Sequence, residues 1–182
     1  MRKQVEARAY LLDQKRKIAE IVLLSLVSFF TPFLLGHPQI LVGSVVNFII
    51  VRNAFYMSAS EAFLSLILPS LGAISRGVLF GPMTPFLIYF APYIWLGNFT
   101  LFLVVKYFSN EKDIAKSSVG IALGSLAKSL LIFLPAFVLN KLKFAPIILL
   151  APMGMVQLIT ALVGGFVSLF VFAIETGKRS ND

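Results

Sequence analysis

Cysteine and acidic residues are what this sequence most clearly lacks. Its 182 residues include no Cys, one His and 8 Asp and Glu, whereas 58% are hydrophobic and only 13% are charged. Without cysteine there is no disulfide framework, no Cys-ligated zinc and no thiol nucleophile. Soluble domains are about 45–50% apolar and about 25% charged, so this chain is too apolar to be one. The same composition, with a mean hydropathy of +0.90, excludes a disordered chain, a collagen and a coiled coil.

The groups that enzymes use for catalysis are also missing. His37 stands alone between Gly36 and Pro38, so the sequence offers no cluster of metal ligands. Gly177-Lys178 lacks the upstream glycine and the following Ser or Thr of a phosphate-binding loop, which excludes an ATPase. We therefore expect no enzyme activity, no metal and no cofactor. The basic residues are placed as membrane topology signals, so we expect no nucleic-acid partner.

Long apolar runs are what the sequence does contain. At about 20 residues a span, a chain of this length holds about six helices and no separate soluble domain. Strands of a β-barrel would be about ten residues long and would alternate polar with apolar residues, which these runs do not. We therefore predict an all-α, polytopic membrane protein with six transmembrane helices. The runs are residues 18–35, 40–57, 61–80, 84–108, 114–139 and 146–174.

Three regions follow from these runs. Residues 18–174 form the six-helix transmembrane domain, residues 1–17 a basic segment before it and residues 175–182 a short tail after it. In the first segment Val5, Ala9 and Leu12 fall at helical spacing between charges, which predicts an amphipathic helix on the cytoplasmic interface. The alternative is that the segment is only a positively charged topology signal.

Lysine and arginine predict the orientation in the membrane. With six spans both termini lie on one side, and most of the basic residues fall on that side. The opposite side has only Arg76, Lys141 and Lys143. The positive-inside rule therefore places both termini in the cytoplasm. The basic residues on the cytoplasmic side, besides those of residues 1–17, are Arg52, Lys106, Lys112, Lys116, Lys178 and Arg179.

Polar side chains within the spans mark a candidate site. A central lysine such as Lys128 costs about 2.5–3.5 kcal/mol to insert, so its position is informative. Five polar residues from five spans lie at mid-membrane depth or toward the outside, which predicts a shared pocket open to the exterior. The alternative is a set of isolated interhelical hydrogen bonds, each contributing about 0.6 kcal/mol. The five residues are Asn47, Arg76, Asn98, Lys128 and Gln157.

All the acids lie on the cytoplasmic side of this topology, away from the five polar residues. Under this topology each acid is cytoplasmic or at the cytoplasmic end of a span, so Lys128 and Arg76 have no carboxylate at their own depth. An unpaired buried cation gives up its proton or needs an anion, which a ligand carboxylate or phosphate can supply. A lipid phosphate is an alternative partner for Arg76. The acids are Glu6, Asp13, Glu20, Glu61, Glu111, Asp113, Glu175 and Asp182.

Small residues form stripes on the fifth and sixth runs. Gly120 and Gly124 have the spacing of a close-packing helix face, and Lys128 continues the same stripe. Gly164 shares one side of the sixth run with Gln157. These stripes predict that Lys128 and Gln157 face the interior of the bundle. Prolines inside the runs are expected to kink them, at Pro32, Pro69, Pro92, Pro135 and Pro152.

Several local motifs, together with length and topology, resemble those of the substrate-binding S components of energy-coupling factor (ECF) transporters, which import vitamins and micronutrients into prokaryotes. The resemblance covers nearly the whole chain. The motifs are His37-Pro38-Gln39 before Gly43 and Asn47, Pro69-Ser70 before Arg76-Gly77, the segment 92–98, and Gln157 before Thr160-Ala161 and Gly164-Gly165.

The resemblance implies a mechanism. An S component captures its substrate outside and docks on a transmembrane T component driven by two ATPase subunits; docking topples it and releases the substrate inside. The loop at residues 35–40 would form part of the lid. Family members often carry Ala-x-x-x-Ala on the first helix as the docking face, whereas here Ala19 is followed by Leu23.

We therefore predict a multi-pass protein of a prokaryotic cell membrane that captures a small anionic or carboxylate-bearing vitamin or micronutrient for an ECF-type importer. Its partners would be the substrate, the T component with its ATPase subunits, and the lipid bilayer. The alternatives are a structural or assembly protein without transport function and an intramembrane enzyme acting on lipid. Trp95 or Tyr93 could stack on a ligand ring, although membrane aromatics usually pack or lie at the interface. The substrate-binding residues predicted are Asn47, Arg76, Trp95, Asn98, Lys128 and Gln157.

Overall fold

The computed structural model describes residues 2–77, 86–109 and 113–179, and this part of the chain is helical with no strand. The all-α prediction is confirmed. The elements in chain order are α1 (Arg2–Phe30) with a terminal π-helical turn (Thr31–Leu35), α2 (Gln39–Tyr56), α3 (Ala59–Arg76), α4 (Leu87–Phe108), α5 (Ile114–Lys141), a 3₁₀ turn (Ile147–Leu149), the short α6 (Leu150–Met153) and α7 (Met155–Arg179).

Five of the six predicted runs form helical stretches that are long and apolar enough to cross a membrane. The third run is different, because α3 spans 18 residues with Glu61 in its first turn and Arg76 in its last. Residues 78–80 of that run lie outside the described residues. The five stretches are Asp13–Leu35, Gln39–Tyr56, Leu87–Phe108, Ile114–Lys141 and Ile147–Gly177.

The basic segment and the first apolar run are parts of one helix. α1 begins at Arg2 and continues without a break into the apolar run. The side chains of residues 2–12, and with them the predicted stripe of Val5, Ala9 and Leu12, lie outside the described part. Further along α1, Lys17 forms an ion pair of 2.7 Å with Glu61, close to the start of α3.

The small-residue stripes pack as predicted. A Cβ atom on Gly164 of α7 would lie 2.3 Å from the backbone oxygen of Ser44 in α2, so only glycine allows this approach. On α5, a Cβ on Gly124 would lie 3.0 Å from Leu101 of α4. The bundle core therefore depends on two close helix pairs, α2 with α7 and α4 with α5, as expected for small residues in membrane helices.

The sixth predicted run is not one helix. Residues 146–174 are divided into the 3₁₀ turn, α6 and α7, with the break between the last two at Gly154. Pro152 lies just before the break and lacks the backbone N–H that a continuous helix would need. Pro32 lies in the π-helical turn that ends α1. In contrast, Pro69 lies inside the unbroken α3.

Oppositely charged side chains at one end of the bundle form what we call the Arg52 cluster. Arg52 of α2 donates hydrogen bonds to Glu20 of α1 at 3.1–3.2 Å and to Glu175 of α7 at 3.2–3.4 Å. Tyr56 donates to the same Glu175 carboxylate at 2.5 Å. Because Arg52 lies near the end of α2, this cluster is at the end of the bundle opposite the α1–α2 turn.

Candidate functional site

Lys128 is the centre of the candidate site. It lies near the middle of α5 with 2% of its side chain exposed. Its Nζ donates a hydrogen bond to Asn47 Oδ1 of α2 at 2.5 Å. No described carboxylate forms an ion pair with it; the recorded pairs involve Lys17 and Arg52. Lys128 is therefore a buried amine whose partner is a neutral amide.

Asn47 links Lys128 to a third helix. Its Nδ2 donates to Gly43 O at 2.8 Å and to Thr160 Oγ1 of α7 at 3.1 Å. Thr160 in turn donates to Val156 O, one helical turn earlier, at 2.8 Å. A Cβ on Gly43 would lie 2.9 Å from Thr160, so glycine at this position lets α7 come close enough for the network. Both the nitrogen and the oxygen of the Asn47 amide are engaged by these contacts.

A cavity of about 90 Å³ lies beside this network. Its walls come from six helices, α2 to α7, and from the end of α1, and among the described residues that line it only Lys128 is titratable. Pro32 and Gln39, on the two sides of the α1–α2 turn, both contribute to the wall. The cavity therefore lies toward the end of the bundle opposite the Arg52 cluster. Its polar lining residues are Gln39, Asn47, Ser70, Asn98, Lys128, Gln157 and Thr160.

Asn98 brings an unused acceptor to the cavity wall. The residue is 1% exposed, and its Nδ2 donates to Leu66 O of α3 at 2.7 Å. Its Oδ1 is buried and has no hydrogen-bond partner among the described residues. The neighbouring Gly97 packs on Lys128: a Cβ there would lie 3.2 Å from Lys128 Cγ. Asn98 and Lys128 therefore approach the same cavity from adjacent helices.

Gln157 also lines the cavity and is half-buried, as predicted from the stripe on the sixth run. The structure thus brings together four of the six predicted residues, Asn47, Asn98, Lys128 and Gln157.

Trp95 is placed differently from the prediction. It does not line the cavity; its Nε1 donates to Ser70 Oγ at 2.5 Å, and Ser70 lines the wall. Ser70 donates onward to Ile67 O at 2.9 Å. A buried indole N–H needs such a partner. Trp95 therefore orients a residue of the wall, and none of the described residues that line the cavity is aromatic.

Arg76 is also outside the cavity wall. Its Nη1 donates to Phe33 O at 2.6 Å and to Leu34 O, both in the π-helical turn that ends α1. The last carbonyls of a helix have no partner within the helix, and a basic side chain satisfies them well. Arg76 therefore ties the end of α3 to the end of α1.

Thr160, Ser70 and Gln39 were missed as site residues. Thr160 follows Gln157 by three positions, and so shares its helix face. That spacing was the available signal for it. Ser70 and Gln39 stand in the motifs of the family resemblance, but nothing in the sequence shows that a tryptophan from another helix donates to Ser70.

The described residues of the cavity offer amine, amide and hydroxyl groups. No group of three or more His, Asp or Glu side chains that could hold a metal ion occurs in the described part of the chain. The cavity combines one buried amine, amide groups and apolar walls, an arrangement typical of small-molecule sites. Comparisons with protein-family models, with curated proteins and with solved structures gave no match for this chain.

Proposed function

We propose that this chain is the substrate-capturing S component of an ECF-type importer in a prokaryotic cell membrane. It binds a small anionic or carboxylate-bearing vitamin or micronutrient from outside. The observation that carries the proposal is the buried Lys128 amine, which faces a cavity without a carboxylate partner.

The Lys128 ammonium needs a counter-charge. Moving an ammonium out of water is costly unless a counter-charge and further hydrogen bonds replace the water. Asn47 Oδ1 supplies one hydrogen bond and no charge. An anionic group on a ligand in the adjacent cavity supplies the missing charge.

The size of the cavity implies that capture involves opening. Pockets for drug-sized ligands usually have about 300–1,000 Å³, whereas this cavity has about 90 Å³. Pro32 and Gln39 line it and flank the turn at residues 35–40. A lid at this turn, which the family resemblance implies, would enlarge the cavity by moving away from it.

The proposed topology has six spans, with α3 as the third and both termini inside. Its support is the charge distribution: the Arg52 cluster with Glu20 and Glu175 lies at one end of the bundle. The cavity lies toward the other end. With the basic N-terminus in the cytoplasm, the cavity faces outside.

The proposed partner complex would supply the energy and would contact α1. This helix is the least enclosed candidate span, with 22% of its most apolar window buried, against 39–44% for the others. Ile18, Val22 and Leu23 are 51–61% exposed on it. Lipid or a T component can cover this apolar face.

Mass spectrometry of the protein purified in mild detergent tests the proposal. The wild-type protein should retain a small anionic molecule, and the Lys128→Met variant should lose it. Lys141→Met is the matched control, because Lys141 lies on the same helix and is exposed. The same ligand occupancy in the Lys128→Met variant would contradict the proposal.

One observation favours a second candidate, a structural protein without a ligand. The contacts of Lys128, Asn47 and Thr160 join α5, α2 and α7, so they could serve packing alone. In that case the Lys128→Met variant would unfold much more easily than the wild type with no small molecule present in either protein.

A further inference from the structure

Three of the polar residues around the cavity are already engaged in hydrogen bonds as both donors and acceptors. Asn47 accepts from Lys128 and donates twice. Thr160 Oγ1 accepts from Asn47 and donates to a backbone carbonyl. Ser70 Oγ accepts from Trp95 and donates within its own helix. A ligand gains little from these groups without breaking an existing hydrogen bond.

Two buried groups, a hydrogen-bond donor and a hydrogen-bond acceptor, can each form a further hydrogen bond. A lysine ammonium has three N–H donors, and Lys128 uses one, on Asn47. Asn98 Oδ1 is an acceptor with no partner in the described structure. Lys128 and Asn98 are each at least 98% buried, with exposures of 2% and 1%. Buried polar groups in native proteins nearly always have a partner, so the pair calls for one.

The two groups are held in a fixed relation. Asn98 Nδ2 is bonded to Leu66 O, which fixes the direction of its amide. The Lys128 stem packs on Gly97, the residue next to Asn98. Lys128 and Asn98, with its buried unpaired acceptor, therefore line one small cavity from neighbouring positions on α5 and α4.

We propose that the ligand group that enters this cavity carries an O–H or N–H donor next to its anionic group, as a 2-hydroxy acid or a 2-amino acid does. The anion accepts from Lys128, and the donor binds Asn98 Oδ1. This inference rests on the proposed function, because it assumes an anion at Lys128. The stem of Lys128 packs beside Gly97, the neighbour of Asn98, so the proposal places the two ligand groups on adjacent carbons.

A site with a donor at Lys128 and an acceptor at Asn98 should distinguish carboxylic acids of similar size that differ in having a donor group. A carboxylate without a donor leaves Asn98 Oδ1 buried and unpaired, whereas a 2-hydroxy carboxylate satisfies it. Sites that hydrogen-bond a ligand hydroxyl reject the analogue without it. We expect lactate to bind at least about tenfold more tightly than propionate. 2-Fluoropropionate, which has nearly the size of lactate but no donor, should bind as weakly as propionate.

The test is a titration of the full-length purified protein with lactate, propionate and 2-fluoropropionate, read by thermal unfolding. Asn98→Leu should reduce the preference for lactate to less than about threefold, and Lys128→Met should weaken the binding of all three acids by about 10–150-fold. Asn140→Leu is the matched control, since the Asn140 amide bonds Ala145 O away from the cavity. It should keep the wild-type preference.

Each result bears on the inference. Equal binding of the three acids, still dependent on Lys128, would overturn the donor proposal and leave the anion site standing. Tight binding of 2-fluoropropionate would overturn it without any variant, even if Asn98→Leu fails to fold. An unchanged preference for lactate in the Asn98→Leu variant would mean that Asn98 does not bind the donor of the ligand. No binding of any of the three would contradict both proposals.

Discussion

Replacing Lys128 by methionine separates a binding role of its amine from a packing role. Methionine has nearly the length and apolar volume of the lysine stem, so the close contact with Gly97 is kept. The change removes the buried charge and the hydrogen bond of 2.5 Å to Asn47 Oδ1. In the ligand-free protein these two effects oppose each other.

The magnitudes can be compared. Leaving Asn47 Oδ1 unpaired costs about 1–3 kcal/mol. Removing a buried charge that has no counter-ion offsets this, because apolar replacements of buried charged groups are often neutral or stabilising. We therefore expect the ligand-free variant to unfold within about 1–2 kcal/mol of the wild type. A charge-assisted hydrogen bond to a ligand contributes about 1.5–3 kcal/mol, so the affinity should fall by about 10–150-fold.

The assay measures both quantities on the same samples. Thermal unfolding without ligand gives the stability, and titration with an anionic probe such as lactate gives the affinity. Lys141→Met should change neither quantity. The reasoning is refuted if Lys128→Met greatly lowers the ligand-free stability while the affinity for the probe is unchanged, because Lys128 would then serve packing alone.

Further predictions concern helix packing and the two predicted site residues that lie outside the cavity wall. Gly164→Val should prevent stable folding, since a Cβ there meets the α2 backbone at 2.3 Å, whereas Gly177→Ala, with nothing within 4 Å, should be neutral in thermal unfolding. Arg76→Gln should keep ligand affinity within about twofold, because Arg76 is outside the wall, but should speed limited proteolysis at the α1–α2 turn. A large loss of affinity would mean that Arg76 contacts the ligand. Trp95→Phe should weaken binding less than about fivefold in the same titration, because only the donor to Ser70 is lost; a loss as great as that of Lys128→Met would mean direct ligand contact.

Hydropathy and residue spacing predicted the helices and the buried face of α5 well. Burial of Lys128 followed from its position on the stripe with Gly120 and Gly124, because small residues mark the side that faces another helix. The helix break at Gly154 was not predicted. Pro69 lies inside the unbroken α3, whereas Pro152 lies just before a helix break, and sequence does not tell whether neighbouring groups compensate for the missing N–H.

The partners of polar side chains were the least predictable part of the site. The depth of Arg76 suggested the pocket, but its partners are backbone carbonyls of a π-helical turn. Trp95 was expected to offer a ring surface, but a serine from α3 takes its N–H. Both outcomes depend on the tertiary approach of another helix, which hydropathy does not report. Asn47 and Asn98 were found because an amide within an apolar run is costly unless it faces the protein interior.

A structure of the protein with its co-purified ligand tests the central claim most directly. We expect an anionic oxygen of the ligand at about 2.7–3.2 Å from Lys128 Nζ, a normal hydrogen-bond distance. A ligand whose anionic group contacts Arg76 or Arg52, with the Lys128 cavity empty, would contradict the account.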